Sequence, residues 1–307
     1  MDLALTDDQR AILSAVDTLV RPFEAAPLHD APLAATSDDL DAQLRLNGFL
    51  DVARDPDLGT VTAAVVIERI ARLPFATEAA FSAMIGPLLG EVPGPICLIA
   101  SRRTPQLVRF LAPGTTVVIV GEQEVESFVA TQDHLRAETG ALYGYPMTSL
   151  VALPDERQIH DIAPSIMFIR WRAALAAEAA GLLAAALAST VAHVSEREQF
   201  GRQLATFQAV RHRLAEAQVR ANGVYWLAMK AAGTLDPGDA ALAAWHAQES
   251  ARACVYDFHQ FLGAMGMTLE HPLHMWTYRL KALIGELGGR ASNAAAAADA
   301  LWGLSNS

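Results

Sequence analysis

The sequence predicts a mainly α-helical protein in which a small β region separates two helical regions. Apolar residues recur at helical spacing in the first part of the chain, and long Ala-rich segments fill the last part. Between them lies a short stretch with β-branched runs and closely spaced Gly and Pro. We therefore predict an N-terminal helical domain over residues 1–111, a β domain over 112–162 and a C-terminal four-helix bundle over 163–307.

The first region begins with a clear helix start. Thr6 is suited to cap the helix, and Gln9 stands at the capping-box position three residues later. Apolar residues then follow at helical spacing until Pro22, which ends the run. Three further helical segments, each punctuated by Gly or Pro, are predicted within residues 37–50, 59–75 and 77–90.

The middle region is predicted to form a few short strands in a small sheet or barrel. "TTVVIVGE" (115–122) is β-branched and bounded by turn residues, and short apolar runs with Gly and Pro continue to about residue 154. The region is too short for a dinucleotide-binding domain, and the sequence has neither GxGxxG nor a P-loop.

The last region reads as four helices. A long Ala-rich helix is predicted to end at Gly201, and three more are predicted within residues 206–233, 239–266 and 271–289. The small residues throughout these segments predict closely packed helices.

Composition excludes several classes of protein. The 307 residues carry a net charge of -11, and no basic stripe suited to nucleic acid is present. Only two cysteines occur, Cys97 and Cys254, so a disulfide framework is not expected. The N-terminus has acidic residues where a signal peptide has basic ones, and no uninterrupted apolar run reaches membrane-spanning length. We expect a soluble, cytoplasmic protein.

The segment "REQFGRQLATFQ" (197–208) interrupts the Ala-rich helices with chemistry suited to a phosphate ligand. Arg197 can form two parallel hydrogen bonds to a phosphate, which a Lys cannot reproduce. Gln199 and Gln208 add uncharged donors, and Phe200 offers an apolar face. The alternative is that Arg197 caps a helix end, where the exposed carbonyls favour a positive charge, while the apolar residues pack in the core.

The longer segment "REQFGRQLATFQAVRHRLAE" (197–216) resembles the signature of the acyl-CoA dehydrogenase family, flavoproteins that desaturate CoA thioesters. Residues 4–16 and 44–50 resemble the family's opening helices. "QFLGAMGMTLEHPLHMW" (260–276) resembles its late QxxGGxG segment, with Ala264 replacing the second Gly. The similarity covers the chain in outline and implies the family's helical–β–helical fold.

The resemblance implies an FAD site with residues from the two motifs. In the family these motifs contact the FAD pyrophosphate and adenosine across a subunit interface. The equivalent positions here are Arg197, Gln199, Phe200, Gln208, Gln260 and Gly263. For the last two, the alternative is a polar helix end with a Gly cap.

The histidines of "HPLH", His271 and His274, stand one helical turn apart, as metal ligands can. No third ligand of suitable spacing accompanies them, so a structural role is favoured and no metal site is predicted.

The family's catalytic Glu is not found at either of its two known positions. One position falls here at Gly288 or Gly289, and the other at Trp171 or a neighbour. The nearest acids are Glu286, expected on a different face of the helix, and Glu178, about 10 Å further along the same helix. These two acids are the only alternative bases, and neither of the family's two base positions is expected to carry an acid.

The family's segments that hold the flavin ring are not recognisable between Thr115 and Ile162. The resemblance therefore implies a short subunit of a heteromeric, actinobacterial-type acyl-CoA dehydrogenase acting on a CoA thioester, with steroid-derived thioesters as the expected class. Such a chain would complete the FAD site of a homologous full-length partner in an α2β2 assembly. Two alternatives remain open: a self-sufficient homo-oligomeric enzyme with a displaced base, and a non-catalytic scaffold or binding protein of the same fold.

Overall fold

The computed structural model describes residues 4–28, 32–138 and 143–303. In the part of the N-terminal region that the structure describes there are five α-helices, whose bounds are α1 Asp7–Val20, α2 Asp38–Leu46, α3 Gly59–Ala71, α4 Ala80–Met84 and α5 Gly86–Leu89. The predicted capping box at the start of α1 is confirmed: the Gln9 backbone N–H donates to Thr6 Oγ1 at 3.2 Å, and the Thr6 N–H donates to Gln9 Oε1 at 3.0 Å.

The β region forms two small sheets. Its strands are β1 Ile96–Ile99, β2 Gln106–Arg109, β3 Thr116–Val120, β4 Val125–Val129, β5 Leu135–Ala137, β6 Met147–Leu150 and β7 Gln158–His160. One sheet has the order β1-β3-β4-β7, with β1 and β3 parallel, and the other has the antiparallel order β2-β6-β5.

The β structure begins at Ile96, so the predicted start of the β domain at residue 112 is too late. The reason is that "ICLI" is a continuous apolar run of four residues, buried at every position, which periodicity cannot distinguish from a buried helix segment.

Within the described residues, the C-terminal region contains five α-helices and a two-stranded hairpin. Their bounds are α6 Pro164–Glu196, β8 Glu198–Gln199, β9 Arg202–Gln203, α7 Gln208–Thr234, α8 Pro237–Leu262, α9 Leu273–Gly285 and α10 Gly289–Trp302. The mainly α fold with a helical–β–helical order is therefore as predicted.

Two helix ends in this region differ from the prediction. The long helix α6 ends at Glu196 rather than Gly201, because the hairpin follows immediately. The predicted fourth helix stops at Gly285, since Leu287, Gly288 and Gly289 all have positive φ, and α10 follows as a fifth helix.

Helix α6 lies at the centre of the molecule, where it packs against α3, α7, α8 and α9. A Cβ on Gly181 would lie 2.1 Å from the Glu68 carbonyl oxygen, so this glycine allows α3 and α6 to approach closely. Helix α6 is also long and apolar enough to cross a membrane by length and composition alone. Its apolar stretch is mostly buried inside the protein, as in the core helix of a globular domain.

Candidate functional site

The segment with the phosphate-binding chemistry forms an exposed hairpin directly after α6. Arg197 leaves the helix with an extended backbone, and the two-residue turn between β8 and β9 is made by Phe200 and Gly201, with φ of 55° and 78°. Glycine adopts this conformation freely, whereas a bulky residue such as Phe200 is strained in it by about 1–2 kcal/mol. We call residues 197–203 the signature hairpin.

The polar residues assigned to FAD have exposed side chains without partners. Arg197, Gln199, Gln208 and Gln260 are all exposed. In the part of the chain that the structure describes, none of these four side chains forms a hydrogen bond or an ion pair. The backbone N–H of Arg197 donates to the His193 carbonyl at 2.9 Å, but among the described residues its guanidinium donates to no helix carbonyl. The structure therefore does not support the helix-cap alternative for the Arg197 side chain.

The aromatic residue of the signature hairpin is also turned outward. Phe200 is 87% exposed, and its ring meets only the edge of Phe207, at 6.1 Å between centroids. Arg202 lies over the Phe207 ring at 4.0 Å. The core-packing alternative consequently fails for Phe200, although Phe207 is partly covered.

The second motif lies at the C-terminal end of α8. Gly263 caps this helix with φ of 60°, and its N–H approaches the Gln260 and His259 carbonyls. The backbone thus forms the Gly cap that the alternative predicted. The Gln260 side chain takes no part in this cap and is exposed, so it is available to a ligand. The rings of His193, near the end of α6, and His271, before α9, meet at 5.5 Å and bring the two motif regions to the same end of the helices.

His271 and His274 stabilise the start of α9. The Leu273 N–H donates to His271 Nδ1 at 3.2 Å, and His274 Nδ1 lies 2.9 Å from the His271 carbonyl. Burial, with His193 and His274 nearby, lowers the pKa of His271 to about 4. Within residues 4–28, 32–138 and 143–303, no three potential His, Cys, Asp or Glu ligands are grouped to hold a metal.

A cavity of about 690 Å³ lies where the β region meets the C-terminal helices. Its apolar lining includes Leu98, Leu107, Met147, Phe168, Trp171 and Leu287. Gly288 lines it as well, so Trp171 and Gly288, the residues that the resemblance predicts at the family's two base positions, face one cavity. The volume is within the range of small-molecule sites.

Glu286 also lines this cavity, so the expectation that it points to a different face is wrong. Helix α9 ends at Gly285, and the change of backbone direction after it brings the carboxylate to Trp171. The Trp171 Nε1–H donates to Glu286 Oε2 at 3.0 Å. Glu178, the other alternative base, is buried and does not belong to the cavity lining.

Both acids are bound to Arg109, a buried residue of β2. Arg109 Nη1 lies 2.7 Å from Glu178 Oε2, and Arg109 Nε lies 2.9 Å from Glu286 Oε1. The Tyr145 hydroxyl donates to Glu178 Oε1 at 2.7 Å. We call Arg109, Tyr145, Trp171, Glu178 and Glu286 the buried polar cluster; it joins β2, α6 and the α9–α10 connection.

Burial and charge set the protonation of the buried polar cluster. Burial raises the pKa of Glu286, and Arg109 opposes this shift. Burial lowers the pKa of Arg109, but Glu178 and Glu286 more than offset it, so the net pKa is raised. Burial and Glu178 raise the pKa of Tyr145, so it remains a hydroxyl donor. Arg109 therefore remains a cation between two carboxyl groups.

Sequence reasoning missed Arg109 and Tyr145. They lie 69 and 33 residues before Glu178 in the chain, and neither belongs to a recognisable motif. Only the packing of β2 and the loop before β6 against α6 brings them to the carboxylates.

Comparison with known proteins gives the family. Residues 166–289 match the family model described as acyl-CoA dehydrogenase, C-terminal domain. Acyl-CoA dehydrogenase FadE34 of Mycobacterium tuberculosis is 33% identical over 215 residues, which are 68% of this chain and 28% of that protein. The chain thus spans little more than a quarter of this relative.

Two solved structures share the fold over nearly the whole chain. The ChsE4-ChsE5 complex from Mycobacterium tuberculosis has a TM-score of 0.67 at 18% identity, covering 96% of this chain and 97% of that one. The Tcur3481-Tcur3483 steroid ACAD has a TM-score of 0.72 at 21% identity, covering 95% and 97%. By its C-terminal domain and its overall fold, the chain belongs to the acyl-CoA dehydrogenase family.

Proposed function

We propose that this chain is a subunit of a heteromeric FAD-dependent acyl-CoA dehydrogenase and completes the FAD site of a homologous partner. The observation that carries the proposal is the signature hairpin: the side chains of Arg197 and Gln199 are exposed and form no hydrogen bond or ion pair within the described residues. Phe200, at the tip of the hairpin, is strained and largely exposed, and among the described residues its edge contact with Phe207 gives it only a small stabilising role.

The residues of the hairpin suit the diphosphate and adenosine part of FAD. The free Arg197 guanidinium supplies a planar pair of donors for a phosphate, and the amides of Gln199, Gln208 and Gln260 supply uncharged donors and acceptors. Phe200 offers an open ring face. Bound at these residues, FAD would supply the redox chemistry that desaturation needs, namely an acceptor for the β-hydride.

The catalytic base is assigned to the partner. Trp171 and Gly288 at the two base positions cannot take up a proton as a carboxylate does. Glu178 is held by Arg109 and Tyr145 away from the cavity. Glu286 reaches the cavity, but one of its oxygens is paired with Arg109 and the other with Trp171.

The partner and the substrate class are proposed from the solved relatives. One relative is a complex of ChsE4 with ChsE5, and the other, Tcur3481-Tcur3483, is a steroid ACAD. We therefore propose an α2β2 assembly with a homologous acyl-CoA dehydrogenase chain and a steroid-derived CoA thioester as substrate.

The test is an FAD titration of the deflavinated complex. Loss of charge-assisted hydrogen bonds in Arg197→Ala removes about 1.5–3 kcal/mol of binding, so the affinity should fall roughly ten- to a hundredfold. Arg197→Lys should recover little, because a point charge lacks the planar fork. Arg103→Ala, an exposed arginine of the β1–β2 connection, is the matched control. Unchanged FAD affinity in an intact Arg197→Ala complex would refute the assignment.

A self-sufficient enzyme with Glu286 as the base is the second candidate, because this carboxyl lines the cavity and has a raised pKa. Glu286→Gln would then reduce turnover by roughly 10²–10⁴-fold. Glu178→Gln is the matched control, because Glu178 also pairs with Arg109 but does not line the cavity. Our proposal predicts that neither variant loses activity on this scale; a selective loss in Glu286→Gln establishes the second candidate.

A further inference from the structure

A second arginine, Arg172, lines the cavity beside the buried polar cluster and differs from Arg109 in having no acidic partner among the described residues. Its only side-chain hydrogen bond within the described residues runs from Nε to Asn293 Oδ1 at 3.0 Å. The guanidinium carbon lies 5.9 Å from the Phe168 ring. Both terminal nitrogens are thus without a protein acceptor in that part of the chain.

The Arg172 guanidinium is held in place by two buried amides. Asn293, which is fully buried, donates through Nδ2 to Gln248 Oε1 at 3.1 Å and so must present its oxygen to Arg172. Gln248 in turn donates to the Leu283 and Glu286 carbonyls, each at 2.9 Å. This chain of hydrogen bonds fixes the amide orientation and leaves the Nη groups available to the cavity.

The charge of Arg172 is not neutralised by the protein. Burial lowers the pKa of Arg172, and no neighbouring charge contributes to that shift. Glu286, the one acid among the described lining residues, is paired with Arg109. A half-buried cation without a counter-ion is unfavourable, and an anionic ligand would remove this cost.

The remaining wall of the cavity suits an apolar body. The rings of Phe168 and Trp171 stack in parallel at 6.3 Å, with an interplanar angle of 4°. Together with Leu107 and Met147 they give an apolar surface next to the cation.

We propose that this cavity binds an anionic group, a carboxylate or a phosphate, at Arg172, carried by an apolar chain or ring that packs on Phe168 and Trp171. The site is separate from the signature hairpin, so the inference goes beyond the proposed function and does not depend on it. It assigns a ligand to a cavity in which both base positions are vacant.

The experiment uses three probes with the same chain and different head groups: decanoate, decyl phosphate and 1-decanol. Binding to the purified chain, or to its complex if the chain co-purifies with a partner, is followed by calorimetry. At least one anionic probe should bind roughly tenfold or more tightly than 1-decanol, as expected for one charge-assisted hydrogen bond. The preferred anionic head group identifies carboxylate or phosphate as the ligand.

The variants separate the site from unspecific binding. Arg172→Met should abolish the preference for the anionic probe while keeping the affinity for 1-decanol, and Arg172→Lys should retain part of the preference. Arg220→Met, an exposed arginine in a different cavity between α7 and α8, should change nothing. Equal binding of all three probes, no binding of the anionic probes, or an undiminished preference in folded Arg172→Met would each overturn the proposal. FAD affinity, set by Arg197, is measured separately, so the two proposals can fail independently.

Discussion

The signature hairpin and the buried polar cluster each contain an arginine, and the two arginines differ in how their charge is paired. In the cluster, one guanidinium serves two carboxylates, and a phenol and an indole complete their hydrogen bonding. In the hairpin, Arg197 and its neighbouring glutamines find no partner among the described residues.

This difference distinguishes residues that stabilise the fold from residues that are available to bind a ligand. A buried ionic group must be matched inside the protein, because leaving it unpaired costs several kcal/mol. An exposed arginine has no such requirement, and the Arg197 side chain, at the start of the hairpin, forms no hydrogen bond or ion pair among the described residues that would explain its presence by stability. Arg172 lies between the two cases: it is half-buried and positioned by amides, yet has no counter-ion.

The largest expected effect comes from removing the centre of the buried polar cluster. Arg109→Met should lower the free energy of unfolding by about 3–5 kcal/mol, because two buried carboxylates then lose their cation. Denaturant unfolding of the purified chain or complex measures the loss.

A triple variant controls this measurement. Arg109→Met combined with Glu178→Gln and Glu286→Gln removes all three charges, so most of the lost stability should return. Two results would show that the charges of the cluster do not stabilise one another: Arg109→Met as stable as the wild type, or a triple variant no more stable than Arg109→Met.

A much smaller effect on stability is expected at the tip of the hairpin. Phe200→Gly relieves a positive φ worth about 1–2 kcal/mol and loses an edge contact with Phe207 worth about 0.5–1.5 kcal/mol. The free energy of unfolding should therefore stay within about 1 kcal/mol of the wild type, while FAD affinity of the complex falls. A destabilisation as large as that of Arg109→Met would place Phe200 among residues that hold the fold together.

Much of the fold follows from the sequence because its signals are local. The capping box at Thr6, the helical spacing and the Gly- and Pro-rich middle region act over a few residues, and each predicted the element that forms. The residue types of 197–208 distinguish this segment from the surrounding helices, but they do not predict a hairpin, because Gly201 also suits the end of a helix. Helix α10 was missed because the break at Leu287 depends on a positive φ that its residue type does not indicate.

The buried polar cluster could not be predicted for a different reason. Its residues come from β2, the loop before β6, α6 and the α9–α10 connection, and only tertiary packing brings them together. The sequence predicts Glu286 on a different face because its pattern continues α9 past Gly285 as a regular helix, whereas the helix ends at Gly285. Long-range pairing of this kind leaves no periodic signal in the sequence.

The central proposal is that this chain supplies only part of an FAD site. The most direct measurement is the flavin absorbance per chain in protein purified alone and in protein co-expressed with a homologous acyl-CoA dehydrogenase chain. We predict little or no flavin in the chain alone and bound FAD in the complex, with Arg197→Ala lowering retention in the complex. Stoichiometric flavin in the chain purified without any partner would contradict the proposal.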